Sequence, residues 1–271
     1  MAGKNGNLQR WLTGLVLAVI LLAIIFFGSV EILAAVIALA IVVAVWEYNS
    51  IVFGKGFLKE KIESMIFAAL IPAVALAGSA EMMIAFLAFA TMVVFMVFLW
   101  RVAESTFDLS SVLKVVFGMV YLPLLTSHFI LLRKLEGGAS WILLVLVIGI
   151  VGDTVAMYVG RALGKRKLIV LVSPGKTVEG TIGLILGATL AACAFGFFIF
   201  PEIALGHFFI LGFVGSIIGQ LGDLSESVIK RNFGRKDAST LLPGHGGLMD
   251  RLDCLIFVAP FVYYYRIFVI G

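Results

Sequence analysis

FFILGFVGSIIGQLGDLSESVIKR, residues 208–231, decides how the rest of the chain is read. The stretch opens on twelve residues, FFILGFVGSIIG, that are apolar or small, and closes on acids, hydroxyls and bases. On a helix, Asp223, Glu226, Ser227 and Lys230 fall at i, i+3, i+4 and i+7 and share one face. In a soluble protein such a stripe is a solvated surface. Here the same helix begins as an apolar run, so the stripe is expected to line a polar cavity at the inner end of a membrane span. A carboxylate inside a span costs about 2.5–3.5 kcal/mol on insertion scales, which makes each one a functional candidate by default.

The whole chain agrees with that reading. Of its 271 residues, 13% are charged and 62% hydrophobic, where a soluble domain has roughly 25% charged residues. A mean hydropathy of +1.15 and repeated apolar runs near the length of a bilayer make lipid the solvent. Spanning helices satisfy their own backbone hydrogen bonds, so the expected fold class is all-α, a polytopic membrane protein. Apolar runs predict nine spans, at about 11–28, 30–46, 64–80, 82–100, 112–132, 140–163, 179–200, 206–231 and 251–270. Trp11 to Gly28 reads as a retained span, because no small-x-small cleavage site follows it. Pro72, Pro123 and Pro260 lie inside spans and mark candidate kinks. Cys193 and Cys254 both fall in apolar stretches, so no disulfide is expected.

Orientation follows from the basic residues. With the amino terminus in the cytoplasm, Arg133, Lys134 and Arg266 fall outside, which leaves seventeen of the twenty Lys and Arg on the cytoplasmic side. The predicted topology is N-in and C-out, in a bacterial-type cytoplasmic membrane, with the cavity open to the cytoplasm. The first half, 1–135, reads as scaffold that could also carry oligomer contacts. Residues 136–271 read as the catalytic region of one continuous membrane domain. A pI near 9.1 suits anionic lipid or nucleotide, and no nucleic-acid partner is expected.

Three further features collect in the second half. Asp153 lies within the sixth span. SPGKTVEG, 173–180, resembles the tail of a phosphate loop, yet Val170 stands where the first glycine belongs, so it is not a Walker motif. A Gly175-Lys176-Thr177 turn leading into a helix can still offer N–H groups, an ammonium and a hydroxyl to phosphate. LPGHGGLMDRLD, 242–253, sets Gly244, Gly246 and Gly247 around His245, where bare N–H groups allow close approach of an anion. His245 between them could hydrogen-bond phosphate or serve as a proton donor. Asp250, Arg251 and Asp253 then open the ninth helix, where capping and metal binding are both open readings. Hard oxygen donors of this kind suit Mg²⁺ better than zinc.

Ser227-x-x-Lys230-Arg231, Lys236-Asp237 and Pro243-x-His245-Gly246-Gly247-x-x-Asp250-Arg251-x-Asp253 resemble the signature of the CDP-diacylglycerol synthase family. Asp153-x-x-Ala156, Gly160-Arg161-x-x-Gly164-Lys165 and Ser173-Pro174-x-Lys176-Thr177-x-Glu179-Gly180 are also similar to that family. The likeness covers roughly residues 150–260; Met157 and Val178 stand where the family pattern has Tyr and Trp. The resemblance implies transfer of CMP from CTP to phosphatidic acid, giving CDP-diacylglycerol and pyrophosphate, with Mg²⁺ and room for a second, monovalent cation such as K⁺.

The expected principal metal ligands are Asp223 and Asp250, with Asp253 and Asp153 ranked behind them. Lys230, Arg231 and His245 join the two leading acids as candidate catalytic residues. Ser173, Lys176, Thr177, Ser227, Lys236, Asp237, Gly246, Gly247 and Arg251 are the candidate phosphate and substrate contacts. A homodimer is expected. The rival readings are a cytidylyltransferase acting on another lipid phosphate, such as an ether lipid, and an ion-coupled transporter. Against transport stand the absence of an inverted repeat and the gathering of charge at one membrane face.

Overall fold

A computed structural model describes residues 18–54, 56–102, 108–241 and 246–271. The helices are α1 (Ala18–Phe27), α2 (Val30–Val52), α3 (Leu58–Ala77), α4 (Ala80–Val102), α5 (Leu109–Lys134), α6 (Gly138–Leu163), α7 (Val178–Ile199), α8 (Leu205–Asn232) and α9 (Met249–Ile270). Between α6 and α7, β1 (Lys167–Ile169) and β2 (Ser173–Thr177) form an antiparallel ribbon. Seven of the helices, α2 and α4 to α9, are long and apolar enough to cross a membrane. Their outer faces carry bare large side chains: Phe198 is 76% exposed and Phe268 77%. Surfaces of that kind require lipid, and the protein is an all-helical polytopic membrane protein apart from its short ribbon.

Chain contacts divide the molecule into two units. The first holds the described residues up to Lys134 together with those of 237–251; the second holds Leu135–Lys236 and Leu252–Gly271. In the first unit, Tyr48 Oη on α2 donates to Lys114 O on α5 at 2.9 Å. Pro123 lies in a π-helical turn, Val120–Leu124, where the wider turn accommodates the missing N–H and the bulk of the ring. Pro72 and Pro260 lie inside α3 and α9.

The three cations that break the inside bias have local duties. Lys134 Nζ donates to Leu76 O at 3.0 Å and Gly78 O at 2.5 Å, answering carbonyls that the end of α3 leaves without intrahelical partners. Arg133 Nη2 donates to Gly28 O at 2.9 Å, just past the end of α1. In the second unit, Arg266 lies 5.7 Å over the Trp141 ring and donates to Gly271 O.

The second unit packs α6, α7, α8 and the body of α9 closely, because small residues line the seams. A Cβ at Gly183 or Gly187 would come within 2.7–2.8 Å of Val159 or Val155 on α6. At one end of this unit Trp141 stacks on Phe200 with ring centroids 4.5 Å apart, and Phe200 stacks on Phe208 at 5.7 Å.

Candidate functional site

In the second unit the polar residues gather where α6 ends, the ribbon crosses and α7 begins. Thr177 caps α7, its Oγ1 accepting from Gly180 N at 3.1 Å. Glu179 in the first turn of α7 accepts from Lys165 N at 3.1 Å and Arg166 N at 3.2 Å, which pins the residues leaving α6. A Cβ at Gly160 would sit 3.1 Å from Thr177 Oγ1, and one at Gly180 would sit 3.0 Å from Ala156 O. The Gly-Arg-x-x-Gly and Lys-Thr-x-Glu-Gly motifs are therefore parts of one close contact between α6 and α7.

That contact aims Lys176 at α8. Its Nζ forms an ion pair with Asp223 Oδ2, with both side chains partly buried. One turn further along α8, Lys230 Nζ lies 3.1 Å from Glu226 Oε1, and the Glu226 side chain is fully buried. Gly222 lets α9 come close: a Cβ there would lie 2.5 Å from Asp253 O. Asp253 Oδ1 accepts from Cys254 N at 2.8 Å. Asp153 and Asp223 lie within electrostatic reach of Asp253, and the Lys230 charge opposes theirs. Arg231 reaches the ribbon, its Nε donating to Val172 O at 3.3 Å. A cavity of about 350 Å³ opens here, with Asp153, Met157, Arg161, Lys176, Thr177 and Gln220 in its wall. Gln220 is 9% exposed, and its Nε2 is buried without a hydrogen-bond partner.

Several sequence-derived candidates thus come together within this unit: Asp153, Lys176, Thr177, Asp223, Lys230, Arg231 and Asp253. Ser173 and Ser227 are half-buried and Lys236 is exposed. Instead of a simple turn, Ser173–Thr177 is the second strand of the ribbon. Among the described residues, no group of three or more His, Cys, Asp or Glu side chains is gathered tightly enough to hold an ion unaided. The donor set nevertheless fits Mg²⁺, which characteristically takes one or two carboxylates and completes its octahedron with water and substrate phosphate. The Lys176 ammonium at Asp223 already marks that carboxylate as a seat for positive charge.

The remaining candidates belong to the first unit. Leu242–His245, and so the proton-donor candidate His245, lie outside the described residues. Asp250 Oδ2 accepts from Ala238 N at 2.9 Å and Gly247 N at 2.8 Å. Gly246 has φ +79°, the left-handed region that favours glycine. Asp237 and Arg251 are exposed.

One acid here escaped the sequence reading. Glu47 on α2 is 0% exposed, and its carboxylate accepts from Ser239 Oγ at 2.5 Å, Leu248 N at 3.0 Å and Met249 N at 2.7 Å. A Cβ at Gly247 would fall 2.7 Å from Glu47 Oε1. The signal that could have found Glu47 is the rule already applied to Asp153, that an acid within a span is a candidate. It was missed because the apolar run was ended at residue 46, whereas α2 continues to Val52.

Residues 8–269 match the sequence profile described as the cytidylyltransferase family. A phosphatidate cytidylyltransferase of Bacillus subtilis is 38% identical over 162 residues, 59% of this chain and 60% of that protein. One of Staphylococcus saprophyticus is 38% identical over 157 residues, 58% of this chain and 57% of its own length. One of Haemophilus influenzae is 42% identical over 137 residues, 49% of this chain and 48% of its own length. The matched part is therefore about half to three-fifths of each of these relatives. With its profile matched over almost the full length, the chain belongs to the cytidylyltransferase family.

Proposed function

We propose that this member of the cytidylyltransferase family is a phosphatidate cytidylyltransferase, transferring CMP from CTP to phosphatidic acid. The observation that carries the reading is the ion pair of Lys176 with Asp223, with Asp153, Asp223 and Lys230 in electrostatic reach of Asp253, beside a cavity whose wall includes Asp153, Arg161 and Lys176 in a membrane-embedded bundle. Acids and lysines gathered in one place suit a reaction in which a triphosphate and a lipid phosphate must approach each other. The names of the relatives point to the same substrates.

In this reading an oxygen of the lipid phosphate attacks the α-phosphorus of CTP. The new P–O bond forms as the bond from the α-phosphorus to the bridging oxygen breaks, and pyrophosphate leaves with that electron pair. The lipid phosphate is already ionised near neutral pH, so positioning and charge neutralisation carry the chemistry more than a strong base does. Lys176 and Lys230 neutralise phosphate charge from the ends of β2 and α8, and Arg231 fixes the ribbon that presents Lys176. Lys236 and Arg251 add exposed positive charge for the nucleotide, while Ser173, Thr177, Ser227, Asp237, Gly246, Gly247 and His245 remain proposed contacts.

Asp223 is the proposed first ligand of Mg²⁺, with Asp253 and Asp153 supporting it. Asp250, by its place in the signature, is a further proposed ligand. Bound there, the ion supplies charge compensation at the α-phosphorus and the leaving group. A second, monovalent ion, a homodimeric state, an N-in and C-out orientation and a cytoplasm-facing site in the bacterial inner membrane belong to the same proposal.

The test is purified protein in nanodiscs containing phosphatidate, supplied with CTP labelled in its α-phosphate, with and without Mg²⁺. The expected result is a labelled liponucleotide that forms only with the ion. Substrate flux in liposomes without any liponucleotide would move the assignment to transport.

A further inference from the structure

We infer that Glu47 is a positioning residue of the reaction, holding the stretch that carries Asp250 and Arg251 in its working conformation. The inference rests on the proposed function for the reaction itself, but its geometry stands alone. Glu47 is a fully buried acid near one end of an apolar helix, where an unanswered carboxylate is costly. It is answered here by three donors that all come from 239–249. Ser239 belongs to the beginning of that stretch, and Leu248 and Met249 to its end, so a single carboxylate ties both ends to α2.

Asp250 repeats the arrangement from the other side, its Oδ2 bridging Ala238 N and Gly247 N. Two acids thus fix the backbone immediately before Arg251. Hydrogen bonds to a charged acceptor are stronger than those between neutral groups. Two of Glu47's three donors are main-chain N–H groups, so no side-chain substitution in the loop removes them. The acid itself is the element that varies.

Glutamine is the informative replacement because it keeps the shape. Oε1 accepts from Ser239 and Leu248, and Oε2 accepts from Met249. Whichever way the amide is turned, its NH₂ must face a backbone N–H, so one bond becomes a donor–donor clash. The bland alternative is that Glu47 contributes only to the stability of the first unit. A purely structural loss lowers the amount of active protein. It leaves the Mg²⁺ concentration for half-maximal rate where it was. Loss of positioning moves that concentration, because outer contacts that orient ligands change metal affinity or activity by about 10–100-fold.

The experiment compares wild type, Glu47→Gln, Ser239→Ala and the control Ser50→Ala, whose hydroxyl donates to the main-chain oxygen of Glu47 at 2.6 Å and not to its carboxylate. Amide hydrogen exchange at 246–249 is followed first, without ion or substrate. Liponucleotide formation against Mg²⁺ is followed second. Glu47→Gln is expected to speed exchange at Leu248 and Met249 by about tenfold or more and to raise the half-maximal Mg²⁺ by about tenfold or more. Ser239→Ala, which deletes one donor, is expected to fall between that variant and wild type, and it serves should the glutamine variant not fold. Ser50→Ala should match wild type. Unchanged exchange in Glu47→Gln overturns the inference. So does faster exchange with an unmoved Mg²⁺ midpoint, which assigns Glu47 to stability alone. A wild type that forms no liponucleotide under any condition overturns the proposed function instead, and this is told apart because exchange reads the Glu47 contacts without turnover.

Discussion

Two acids of the first unit and two of the second are answered in different ways. In the first, Glu47 receives two backbone N–H groups and a hydroxyl, donors that carry no net charge, and Asp250 receives two backbone N–H groups. In the second, Asp223 and Glu226 face the ammonium groups of Lys176 and Lys230, and Asp153 and Asp223 lie within electrostatic reach of Asp253. An acid satisfied by main chain is an anchor, because its partners cannot leave without unfolding a turn. An acid satisfied by lysine has a partner on a flexible stem, which in the proposed reaction would turn to phosphate. The difference separates the part of the signature that shapes a loop from the part that handles charge.

The largest expected effect lies with the charge-handling acids. Asp223→Asn keeps the shape and removes the charge, and turnover should fall on the order of 10²–10³-fold while the protein still extracts folded in detergent. Retained turnover at ordinary Mg²⁺ would break the comparison at its centre. Next comes the anchor: Gly247→Val puts a side chain where Glu47 Oε1 and Oε2 lie within 2.7–2.8 Å of the new Cβ. Turnover should fall about 10–100-fold, with faster amide exchange at Leu248 and Met249. A valine variant with normal exchange would show the carboxylate to be less firmly placed than described.

A smaller effect, about tenfold, is expected for Lys176→Ala, measured as initial rate at saturating CTP. Lys59→Ala, on α3, is the comparison and should change the rate less than twofold. Equal losses at the two lysines would assign both to general membrane-surface charge. Smallest is Thr177→Ala, which removes the cap that Gly180 N uses and should cost about 1 kcal/mol. It should appear as a modest fall in thermal midpoint together with a modest fall in rate, since Thr177 is also a proposed substrate contact. A lower midpoint with an unchanged rate would leave Thr177 with the cap alone.

What was legible in the sequence was whatever a local period or composition could express. Seven of the nine predicted spans coincide, among the described residues, with helices long and apolar enough to cross a membrane, and the stripe Asp223, Glu226, Lys230 is a run at helical spacing, so both could be read from neighbours in the chain. Lys176 and Asp223 were each singled out, but their pairing was not, since 47 residues separate them and the ribbon that aims the lysine was read as a turn. Strands of three and five residues with no apolar alternation carry too weak a pattern to announce themselves. Glu47 failed for a different reason. Trp-Glu-Tyr-Asn-Ser looks like the polar end of a span, and only donors from the far end of the chain make it an interior position. The bias of basic residues is a matter of composition along the chain. That the exceptions Arg133 and Lys134 cap helix ends could be known only once those ends were placed.

The partnership of α2 with 239–249 also sets a timetable for biosynthesis. Leu248 follows Glu47 by 201 residues, roughly 10–40 s of translation at about 5–20 residues per second. Through that interval the second helix already lies in the bilayer with an acid near one end and the N–H groups that will answer it not yet made. Until they arrive, the Glu47 carboxylate has none of the three donors that answer it in the folded protein.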